Sequence, residues 1–127
     1  MAKADFLNQL QALGYNPQEL ISGSPGHITF EYEVPRGVGP NEGKRLLIGT
    51  VVNEAYPDVP PSAPHYKAKS IPGWVNVRQD KGFNAQSSFG DDWVYWSRNM
   101  DLWSKTDRNA KAYLNILQTI LFRMNEV

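Results

Sequence analysis

The run from His27 to Val34 alternates residue by residue: Ile28, Phe30, Tyr32 and Val34 are apolar, and Glu31 and Glu33 between them are charged. Successive side chains on a strand point to opposite faces, so this run demands a sheet with one face on a core and the other in solvent. The buried face needs a cover. The C-terminal segment supplies one, because Ala110, Tyr113, Leu114, Leu117, Ile120, Leu121 and Met124 follow the 3.6-residue period of a helix with one apolar stripe. Asp107 stands where a cap would, and the pattern predicts a helix over about 107–125. A shorter helix is predicted over 5–13, with Asp5 at its cap, Phe6, Leu7, Leu10 and Leu13 on one face, and Gly14 as its stop.

Between these elements the chain reads as follows. Pro17, Gly23, Pro25 and Gly26 mark turns around a short strand near Leu20 and Ile21. The stretch PRGVGPNEG, from Pro35 to Gly43, has no apolar period and reads as a long hairpin loop. Leu46 to Val52 is the return strand, apolar on both faces and so expected in the middle of the sheet. A Pro-rich corner runs from Tyr56 to Pro64, and a long stretch with little regular pattern follows it. Ordered irregular stretches of that kind are uncommon in small domains and are often functional. Helix, antiparallel strands, irregular segment and helix make an α+β layout, with one domain over residues 1–127.

Composition narrows the function classes. Hydrophobic residues are 41% and charged residues 20%, a globular balance, and four Trp, six Tyr and five Phe supply large side chains for a core. Thirteen Lys+Arg against thirteen Asp+Glu leave no net charge, which argues against a general nucleic-acid binder that must displace counterions from phosphates. Without cysteine there is no disulfide framework, thiolate metal site or thiol nucleophile. No apolar run approaches the roughly 20 residues of a membrane span. MAKADF lacks the apolar stretch of a signal peptide, so the expected location is the cytoplasm.

Few constellations carry chemistry. His27 and His65 are the only histidines, far apart in sequence and without the spacing of a zinc or iron site, so structural or surface roles are expected for both and no metal or cofactor is implied. The glycines of PRGVGPNEG are not followed by a GK[ST], and Lys44 and Arg45 after them read as the solvated base of a hairpin. Tyr56-Pro57-Asp58-Val59-Pro60-Pro61 places three prolines in six residues, which fixes φ, removes amide donors and ends the preceding strand. Aromatic–proline turns of this kind admit a cis bond. In Phe89 to Ser104, Trp93, Tyr95 and Ser97 alternate with Val94 and Trp96 as a short strand would, the indoles filling the core beneath the C-terminal helix. Ser97, beside Arg98 and Asn99, would be displayed at a shallow site, yet a serine nucleophile needs a base and no histidine lies nearby in sequence.

Together these pieces resemble the ubiquitin-conjugating enzyme (UBC-like) superfamily. Its fold runs N-terminal helix, antiparallel β-meander, a Tyr-Pro-x-x-Pro-Pro corner, a long irregular active-site segment and C-terminal helix, and the corner here matches at Tyr56, Pro57, Pro60 and Pro61. Trp103-Ser104, ahead of the apolar C-terminal stretch, is similar to the family's Trp-Ser pair. EVPRG, PPSAPH and FGDDWVYWSR most resemble the bacterial branch found in ubiquitin-like conjugation operons. The likeness implies a ubiquitin-like protein and an adenylating activating enzyme as partners, with a deconjugating metallopeptidase in the same pathway. It also implies a reactive cysteine a few residues before the Trp-Ser pair, and this chain has none. The family's His-Pro-Asn is broken as well, at His65-Tyr66-Lys67, leaving Asn84 as the asparagine nearer the site. Counting back from Trp103, the cysteine would fall near Tyr95 to Ser97, where Ser97 is the serine hydroxyl, with Ser87 and Ser88 as rival acceptors. Three explanations stand: a binding-only variant, a serine enzyme that forms an oxyester, or a sequence in which the cysteine was replaced. A structural subunit that merely shares the fold is a further alternative.

Overall fold

The computed structural model describes residues 2–19, 26–67, 71, 73, 74, 84–90, 92–96 and 100–123. Helix α1 (Ala2–Ala12) is followed by β1 (Gln18–Glu19), β2 (His27–Glu33), β3 (Arg45–Val51) and β4 (His65–Lys67). After them come β5 (Asn84–Gln86), β6 (Val94–Trp96), a short 3-10 turn (Asp101–Lys105) and helix α2 (Ala110–Arg123). The six strands form one antiparallel sheet in the order β1-β2-β3-β4-β6-β5. The architecture is α+β, as the periodicities require.

The alternation in β2 sorts the sheet's two faces. Ile28, Phe30 and Tyr32 are buried, and they pair with Thr50, Ile48 and Leu46 of β3, whose side chains are buried on the same face. Phe6 and Leu10 of α1 and Tyr113, Leu117 and Leu121 of α2 complete this core. Burial of each such apolar side chain stabilises by roughly 1.5–3 kcal/mol, so the helices are held by their stripes rather than by intrinsic propensity. β3 lies between β2 and β4, the inner position its apolar character calls for.

Several local expectations give way to better physics. α1 begins at Ala2, so Asp5 sits in its first turn rather than at the cap, where a carboxylate still favours the N-terminal end of the helix dipole. Leu13 lies beyond the helix and is 44% exposed, off the buried face. Gly14 ends the segment with a φ of 94°. α2 begins at Ala110, not at 107, because Asn109 is its cap: the Ala112 N–H donates to Asn109 Oδ1 at 2.9 Å. Arg108 adopts a φ of 54°, which no helix accommodates, and so it separates Asp107 from the helix. The predicted strand at Leu20 and Ile21 and the helix end at Met124 lie outside the described residues; the strand found just before is Gln18–Glu19.

The stretch after the proline corner is less irregular than its pattern suggests, for it contributes β4, β5 and β6. Lys44 is not a solvated hairpin base. Its ammonium donates to Asn41 Oδ1 at 3.3 Å and to the Gly73 carbonyl, pinning that later stretch to the hairpin loop. Arg45 does remain at the surface, beside Glu31 at 3.9 Å.

Candidate functional site

The Tyr56–Pro57 bond is cis. The Tyr56 ring is 4% exposed and packs edge-on against Phe6 at 5.4 Å. Its hydroxyl donates to Gln9 Oε1 at 2.6 Å, and the same oxygen accepts the Ala110 N–H at 2.9 Å. One side chain of α1 thereby ties together the corner and the first turn of α2. Burial, with a smaller contribution from Asp5, pushes the Tyr56 phenol up to about 12, so it stays a donor throughout the ordinary pH range. Trp103, 1% exposed, donates its indole N–H to the Pro57 carbonyl at 2.6 Å. The proline corner and Trp103 are therefore bonded to each other.

The sheet's opposite face carries the second cluster. His27 on β2 and His65 on β4 lie diagonally across β3, since His27 pairs with Val51 and Gly49 pairs with His65. Phe89 lies between them, its centroid 4.7 Å from the His27 ring and 4.6 Å from that of His65. Gly49 makes room for it: a Cβ there would stand 2.8 Å from two carbons of the Phe89 ring. Tyr95 covers the other side of His65 at 4.3 Å, and Trp93 packs on Phe89 at 5.0 Å. Trp93 thus belongs to this face, not to the core under α2 where the alternation put it; Trp103 lies in that core with Trp74 packed against it, and the Trp96 side chain lies outside what the structure describes.

Each histidine meets a serine. His65 Nδ1 lies 2.7 Å from Ser87 Oγ, both residues being buried. The Phe89 N–H donates to the same oxygen at 3.0 Å. The Ser87 oxygen thus serves the Phe89 amide and the His65 ring together, the direction of the second bond following the imidazole tautomer. Burial pushes the His65 imidazole down to about 4, with His27 adding to the shift, so it is neutral at pH 7. Ser88, next in the chain, is exposed, and its Oγ lies 3.0 Å from His27 Nε2. The histidines expected in separate structural or surface roles are in fact neighbours, and the serines considered as rival acceptors are their partners. The pairing joins residues far apart in sequence, so no local pattern announces it.

Of the residues suggested by the resemblance, Tyr56, Pro57, Pro60, Pro61 and Trp103 sit at or on the corner. Asn84 lies on β5, opposite Trp96 in the ladder. Ser97 lies outside the described residues. Among the described residues, no group of three or more His, Asp or Glu gathers as a metal site would require. No helix among them is long and apolar enough to cross a membrane. No family model, curated protein or solved structure matches this chain.

Proposed function

We infer that the chain is a ubiquitin-conjugating-enzyme-like domain of a bacterial ubiquitin-like pathway, which accepts or holds a ubiquitin-like protein delivered by an adenylating activating enzyme. The observation that supports this reading is the bond from Trp103 Nε1 to the Pro57 carbonyl, which joins the Tyr-Pro-x-x-Pro-Pro corner to the Trp-Ser pair. Two motifs recognised separately in the sequence meet in the folded chain, as the resemblance implies. As an enzyme, the domain would take the ubiquitin-like C-terminus on a serine as an oxyester and pass it to an amine, with Ser97 and Asn84 as the residues the resemblance puts forward. As a binding module it would hold the ubiquitin-like protein without a covalent bond, and the absence of cysteine favours that second reading.

Incubation of the chain with the ubiquitin-like protein of its operon, the activating enzyme and ATP separates the two. An adduct that resists thiol reductants and is cleaved by hydroxylamine identifies the oxyester enzyme, and its loss in Ser97→Ala locates the acceptor. Non-covalent association without an adduct identifies the binding module. Neither adduct nor association would refute both.

A further inference from the structure

We propose that Ser88 and His27 form a nucleophile–base pair that takes an acyl group from an activated carboxyl donor. The proposal deepens the reading above and rests on it only for the physiological donor, the activated C-terminus of a ubiquitin-like protein.

Ser88 is the second residue of a turn from Ser87 to Gly90, where the Gly90 N–H faces the Ser87 carbonyl at 3.4 Å. The turn is locked from below. Ser87 Oγ accepts the Phe89 N–H and engages His65, while the Phe89 ring is wedged between two imidazoles over Gly49. Ser87 is buried, with its hydroxyl already engaged twice, so it positions the turn and does not react. Ser88 has the opposite setting. It is exposed, and the partner of its Oγ is an imidazole nitrogen at 3.0 Å, within the reach a general base needs. The His27 ring is partly buried and braced by Phe89, which holds it beside the exposed Ser88.

The Ser88 hydroxyl proton passes to His27 Nε2 as Oγ bonds to the acyl carbon, and the bond from that carbon to its leaving group breaks with the electron pair departing on the leaving group. The product is an ester on Ser88 and a protonated His27. An amine then bonds to the same carbon and the carbon–Oγ bond breaks. Ser88 Oγ recovers a proton from His27, and the amine's surplus proton goes to water. The donor class is an acyl carbon with a good leaving group, whether acyl adenylate, thioester or activated aryl ester.

The whole chain treated with p-nitrophenyl acetate at neutral pH and analysed by intact mass and peptide mapping tests the pair without any partner protein. The expected result is one acetyl group on Ser88, absent in Ser88→Ala and formed at least ten-fold more slowly in His27→Gln, with circular dichroism and melting showing both variants folded. Should His27→Gln fail to fold, Gly49→Val serves in its place: by crowding Phe89 it loosens the brace of His27 and should slow acetylation. Acetyl groups confined to lysines and tyrosines, or Ser88 labelling as fast without the imidazole as with it, would overturn the proposal. Ser88 labelling in a chain that ignores ubiquitin-like proteins would sink the functional reading and leave the pair standing. A ubiquitin-like adduct on Ser97 with Ser88 inert to the ester would do the reverse.

Discussion

Gly49 is where the sheet's open face acquires its shape. The position lies in an inner strand, and the Phe89 ring occupies the space a side chain would fill. Gly49→Ala therefore forces the ring outward, an overpacking cost of about 1–3 kcal/mol, readable as a lower urea midpoint and displaced Phe89 ring resonances. Unchanged stability and resonances would show that the ring does not sit there. His65 makes a different prediction at the same scale. Its pKa is about 4 in the folded chain against 6.5 as a free group, so between these values the unfolded chain binds a proton that the folded chain refuses. The group has no effect on stability above pH 6.5, costs progressively more as the pH falls toward 4, and costs no more below that. The full loss is on the order of 3 kcal/mol, and urea titrations of wild type and His65→Gln between pH 7 and 4 should differ in slope in that window. Parallel slopes would place His65 in contact with solvent.

Elements differ in how openly the sequence declares them. β2 and α2 are long enough for a period to show, and Phe30, Tyr32, Tyr113 and Leu117 are buried as their spacing requires. β4, β5 and β6 have three residues each, too few for any period to rise above chance, and they are strands because their neighbours in the ladder make them so. Spacing places the start of α2 at Asp107, and it lies at Asn109 instead because of the left-handed backbone of Arg108, which side-chain pattern does not reveal. The consequence is measurable. Asn109→Ala should cost about 1 kcal/mol, whereas Asp107→Ala should cost a few tenths at most, by thermal or urea melts. The reverse order would restore Asp107 as the cap. Leu117→Asp, which puts a charge at a position 2% exposed, should leave little folded chain, and an unchanged circular dichroism spectrum would mean that the helix presents another face.

At the scale of the molecule, the corner is a junction rather than a surface turn. Gln9 of α1, Tyr56 and Pro57 of the corner, Trp103 of the 3-10 turn and Ala110 of α2 are joined by three hydrogen bonds. Trp103→Phe keeps an aromatic ring but removes the indole donor and part of the volume of a side chain 1% exposed, and should cost about 1–3 kcal/mol. The corner and the Trp-Ser pair were legible in the sequence as motifs, but their bond to each other was not, nor were the Ser–His pairs on the far side of the sheet. Both depend on the ladder order, which brings β2 and β4 to either side of β3 and folds residues 87–90 back over Gly49. Both forms of the proposed function require recognition of a ubiquitin-like protein, and the direct measurement is a titration of the chain with an isotope-labelled ubiquitin-like protein, followed by NMR. The account predicts saturable shifts confined to one face of that protein and its C-terminal tail; a spectrum unchanged at a large excess of this chain would contradict it.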